Sequence, residues 1–151
     1  MLKPFLFVSV LALIGAPAFF QQTPATPATP AAGPTVIPPQ YATMTNPVKP
    51  TAELQARAKK MYGWDCAMCH GDNGDGKGDV AAEQKLTMRD YRDPTALKQY
   101  SDGQLFYIIK NGQGQMPSEG QRANDELIWN MVIYIQKMAA APGGAARASQ
   151  Q

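Results

Sequence analysis

Apolar positions recur at helical spacing in three stretches of this chain, and no segment shows sustained strand-like alternation. In the first stretch, Leu54, Ala58, Met61 and Tyr62 share one face of a helix predicted from about Thr51 to Tyr62. Pro50 precedes it, Thr51 can cap it, and Glu53 lies in the first turn, where the helix dipole favours an acid. Gly63 is the expected stop. The second helix begins at Ser101, which can form a reciprocal capping box with Gln104. Leu105, Phe106, Ile108 and Ile109 make its buried side, and Asn111-Gly112 ends it. The third runs from about Asn124 to Met138, opening on Asp125 and Glu126 and closing on Lys137. Ile128, Met131, Val132, Ile135 and Met138 give it an i, i+3, i+4, i+7 stripe. The pattern predicts a small all-α domain.

The flanks differ in composition. Residues 1–20 hold one early lysine, Lys3, then an apolar run from Phe5 to Phe20 with Ala16-Pro17-Ala18 as a small-residue exit, which reads as a secretory signal peptide. The alternative is a short membrane anchor, but sixteen apolar positions would span only about 24 Å as a helix. Residues 21–50 are rich in Pro, Thr and Ala and read as a linker, with a reach on the order of 30 Å as a coil and about 90 Å if extended. The expected domain covers residues 51–140, and residues 141–151 form a tail. The 151-residue chain has a net charge of +2, whereas residues 51–140 hold eleven Lys and Arg against twelve Asp and Glu. Neither sign forms a long run, so nucleic-acid binding has no electrostatic support.

The chemistry is concentrated in Cys66-Ala67-Met68-Cys69-His70. This C-x-x-C-H run is the attachment pattern of a c-type haem, two thiols for the porphyrin vinyl groups and a histidine for the iron. These are the chain's only two cysteines and its only histidine. A structural zinc site would need a second pair of ligands, and a thioredoxin-like redox pair would need flanking strands. A simple disulfide would leave His70 unexplained. One haem c, covalent and iron-containing, is therefore the cofactor expected, bound through Cys66 and Cys69 with His70 on the metal.

With a single histidine, bis-histidine coordination within the chain is impossible, and a methionine thioether is the expected sixth ligand. Met61, Met131 and Met138 fall on helix stripes, where core packing accounts for them. Met68 sits inside the attachment run. Of the remaining candidates, Met116 lies in Gly112-Gln113-Gly114-Gln115-Met116-Pro117, a loop with no apolar periodicity to explain a buried methionine. Met88 is the weaker alternative, closer in sequence to His70 and set among charged neighbours. The Gly- and Asp-rich run Gly71–Asp79 resembles a calcium loop only superficially, since Gly71 and Ala82 stand where acids are required.

The attachment run, the Asn111 to Pro117 loop and the final aromatic-bearing helix, in that order, resemble a class I cytochrome c of the small monohaem bacterial type. The resemblance covers Thr51 to about Met138. It implies the cytochrome c fold, with first and last helices crossing near Ala58 and Tyr134. It also implies a one-electron carrier rather than an enzyme, passing electrons between a redox protein donor and acceptor, with no small-molecule substrate, in the periplasm or another exported location. The alternatives are a tethered electron-input subunit of a larger membrane complex, or a haem sensor or peroxidase with an open distal site.

Overall fold

The computed structural model describes residues 36–139, so the expected signal peptide, the first part of the linker and the tail lie outside the described residues. Five α-helices follow one another: α1 (Ala52–Met61), α2 (Ala67–His70), α3 (Asp79–Glu83), α4 (Asp102–Asn111) and α5 (Asp125–Met138). Among the described residues there is no strand, only a two-residue pairing of Gln113 with Met116. None of these helices is long and apolar enough to cross a membrane.

The three long helices start where their side chains can cap them. Thr51 Oγ1 accepts from Leu54 N at 3.1 Å, and Asn124 Oδ1 accepts from Leu127 N at 3.0 Å. Ser101 Oγ accepts from Gln104 N while Gln104 Oε1 accepts from Ser101 N, closing the predicted box. Helix α5 is buried on more than its predicted stripe, since Leu127, Trp129 and Asn130 are buried as well. It packs against α1 on one side and α4 on the other. Ala58 is fully buried, and the rings of Tyr62 and Tyr134 lie 5.4 Å apart beside it. On the α4 side, Trp129 stacks on Phe106 with centroids 4.1 Å apart.

Two expectations need correction. Gly63 does not end the first helix, because the chain continues as a π-helical turn, Tyr62–Cys66, straight into α2. The wider turn keeps the backbone winding while it turns Cys66 towards the interior.

The second correction concerns the linker. Its C-terminal part belongs to the folded body. Pro39–Ala42 form a 3-10 turn, and Tyr41 packs its ring against Phe106 and Tyr107 at centroid distances of 6.5 and 4.7 Å. Asn46 Nδ2 donates to Trp129 O at 3.0 Å, and Ser101 Oγ donates to Tyr41 O at 2.7 Å. A few anchors at Tyr41, Asn46 and Val48 suffice to dock a stretch that proline has already stiffened. The glycine-rich segment after α2 is likewise tied down. Gly76 N donates to His70 O and Gly78 N to Cys69 O, so the loop satisfies carbonyls at the end of α2.

Candidate haem site

A cavity of about 370 Å³ opens between α2, α4 and the loops after α3 and α4. Cys66, Cys69, His70 and Met116, the four residues singled out by sequence, all line it. So does Met88, the weaker methionine candidate. Met61, Met131 and Met138 are buried in the core, as their helix stripes predicted.

Each of the four arrives by a local device. The π-helical turn and α2 present both thiols, which are free and half-buried. Tyr62, buried below them, donates its hydroxyl to Gly71 O at 2.8 Å and so ties the start of this turn to the end of α2. The His70 ring stacks on Tyr91, with centroids 4.9 Å apart and planes at 21°. Met116 is held by a tight turn in which Gln113 N donates to Met116 O and Met116 N to Gln113 O, at 3.1 and 2.9 Å. That turn requires positive φ at Gly112 and Gly114, +77° and +60°.

The electrostatics suit a cofactor. His70 Nδ1 is buried without a hydrogen-bond partner, and Nε2 lies 3.5 Å from the Tyr91 hydroxyl, too far for a firm bond. Burial holds the imidazole's pKa below its ordinary value, keeping it in the neutral form that can bind a metal. The Cys66 thiol is pushed up to about 12, first by burial and then by the carboxylates of Glu119 and Asp65. Burial likewise raises the hydroxyl of Tyr91. Two thiols, an imidazole with an orphaned nitrogen and a thioether thus line one largely apolar cavity.

Sequence reasoning left out most of the wall. Leu86, Leu97, Leu105 and Ile108 supply apolar lining, and only the last two carried a helical pattern that could have marked them. Glu119, buried at 2% exposure, was not foreseen, because nothing in a loop acid signals burial. Tyr91 and Arg89 also line the cavity, whereas Trp129 is spent on Phe106 and Trp64 is 67% exposed. Arg92 turns away to Asp90 at 2.8 Å. Among the described residues no three His, Cys, Asp or Glu side chains come together to hold an ion.

Comparison with known proteins agrees with this geometry. Residues 53–135 match the family model described as cytochrome c oxidase, cbb3-type, subunit III. Cytochrome c6 of Picosynechococcus is 31% identical over 90 residues, covering 56% of this chain and 73% of that protein. Cytochrome c6 of Cladophora glomerata is 30% identical over 93 residues, covering 58% and 92%. The chloroplastic cytochrome c6 of Chlamydomonas reinhardtii is 32% identical over 89 residues, and the chain spans about half of that protein's length, 54%. A chain of the reducing HAO-like protein complex of Kuenenia stuttgartiensis superposes with a TM-score of 0.51 at 24% identity, over 61% of this chain and 46% of that one. That last likeness shows the fold alone. With the thiols, the imidazole and an apolar cavity gathered in one helical domain, the chain belongs to the cytochrome c family, as a small monohaem class I member whose cofactor is covalent haem c.

Proposed function

We propose that the protein is a one-electron carrier in which Cys66 and Cys69 hold the haem by thioethers, His70 is the proximal ligand and Met116 the sixth. When bound, the haem supplies a single redox-active iron that accepts and releases one electron. Tyr91 fixes the plane of the imidazole. The Gly112–Met116 turn fixes the thioether, and Leu86, Leu97, Leu105 and Ile108 exclude water from the cofactor. The electron's source and destination are a donor and an acceptor protein. The observation that carries the reading is the single cavity that gathers both thiols, the unpartnered imidazole and a loop-held methionine. Export belongs to the same reading, with residues 1–20 as the signal and the Pro-, Thr- and Ala-rich stretch that follows as a tether.

Met88 is a nearer rival to Met116 than its sequence surroundings suggested, because both line the cavity. The ferric protein should show the weak red charge-transfer band of sulfur-to-iron ligation. Met116→Ala should abolish that band and open the ferrous form to carbon monoxide, while Met88→Ala should preserve both properties. The reverse pattern would assign the ligand to Met88. Rapid carbon monoxide binding by the unmutated protein would favour the sensor or peroxidase reading.

A second reading is favoured by the family match, whose description names a subunit of an oxidase. In it the protein is an electron-input subunit held to a membrane complex. N-terminal sequencing of the mature protein, together with co-purification of large membrane subunits, separates this from a freely diffusing carrier.

A further inference from the structure

One wall of the haem cavity carries charge where packing alone would call for an apolar side chain. Glu119 lines the cavity and is 2% exposed. Its carboxylate accepts two hydrogen bonds from Arg122, Nε to Oε2 at 3.1 Å and Nη2 to Oε1 at 2.5 Å. Arg122 Nη1 reaches onward to Asp65 Oδ1 at 3.1 Å. Asp65 also lines the cavity and directly precedes Cys66. Two carboxylates and one guanidinium leave a single net negative charge beside the attachment site.

The backbone that carries Glu119 is held in place. Glu119 N donates to Ile109 O at 3.1 Å, and its carbonyl accepts from Arg122 N and Ala123 N, both at 2.9 Å. Its carboxylate is held by Arg122 and is almost fully shielded from solvent. Taking the Glu119 carboxylate out of water costs stability that a half-exposed partner offsets only in part, so stability is a weak reason for it to be here.

We propose that the Glu119–Arg122–Asp65 triad sets the reduction potential of the bound haem, its net negative charge favouring ferric over ferrous iron. The inference rests on the carrier reading above. Reduction adds one electron from the donor protein and lowers the cofactor's charge by one, with no bond formed or broken, and a fixed negative charge opposes it. A unit charge about 10 Å away, at an effective dielectric near 20, changes such an equilibrium by about tenfold. The remaining ionic side chain on the cavity, Arg89, is exposed and lies over the Tyr100 ring at 5.4 Å, so solvent screens it more than it screens Glu119.

Equilibrium redox titration of the purified haem-loaded protein at mildly alkaline pH tests this. Glu119→Gln should shift the ferrous-to-ferric ratio at fixed applied potential about tenfold towards ferrous, a rise of about 59 mV for a one-electron couple. Asp65→Asn should move it the same way by less, and Arg122→Gln should move it towards ferric. Opposite signs are the mark of charge, since loosened packing would admit water and move all three variants in one direction. Asp65 and Arg122 are partly exposed, so that pair carries the test if Glu119→Gln fails to fold. Shifts of one sign, or none larger than about twofold, would overturn the inference while leaving the carrier reading intact. A parent protein with no covalent haem would overturn both.

Discussion

A methyl group added at Gly112 would stand 2.5 Å from Met116 O and 3.0 Å from the Pro117 carbonyl carbon, on a residue whose φ is +77°. Gly112→Ala should therefore cost about 1 to 3 kcal/mol in denaturant unfolding of the holoprotein and weaken the sulfur-to-iron band, by displacing the Met116 backbone. Gly114→Ala, at φ +60° with nothing near its added carbon, should cost only about 1 kcal/mol and keep the band. The contrast separates turn geometry from crowding. The attachment run was legible in the sequence because covalent haem attachment restricts both residue type and spacing, and Met116 stood out because its loop has no apolar periodicity to explain it. Glu119 was not legible. Its burial comes from the turn's backbone bonding to Ile109, a contact ten residues away that no local pattern encodes.

At the scale of elements, starts were easier to read than stops. Thr51, Ser101 and Asn124 cap from within three residues, so the signal and its effect are neighbours in the chain. Gly63 misled because glycine ends a helix only where tertiary structure asks for a left-handed residue, and here the interior asks the chain to keep turning. The docked stretch around Tyr41 was hidden by its prolines, whose composition suggests a tether although three side chains fasten it. Ser101 joins both stories, capping α4 through one bond and holding Tyr41 O through another. Ser101→Ala should lower stability by about 1 to 2 kcal/mol. It should also raise hydrogen exchange in residues 38–48 more than in α1, a difference that mass spectrometry of proteolytic fragments can resolve.

For the whole molecule, the cofactor is part of the interior. Without it the roughly 370 Å³ cavity leaves Leu105 and Ile108 facing space that a protein of this size has little other core to offset. Replacing both Cys66 and Cys69 by Ser should give a chain that keeps part of its far-ultraviolet helical signal but loses fixed aromatic signals in the near ultraviolet. Retention of both at full strength would show that the fold stands without its haem. The pairing of α1 with α5 also puts the two ends of the domain against each other, and this has a consequence in time. A ribosome finishes Cys69 sixty-nine residues before Met138. At about 5 to 20 residues per second, that is roughly 3 to 14 seconds. Through that interval α1 has no completed partner and the thiols have no lid, so the chain is born with its reactive groups uncovered and only later closes over them.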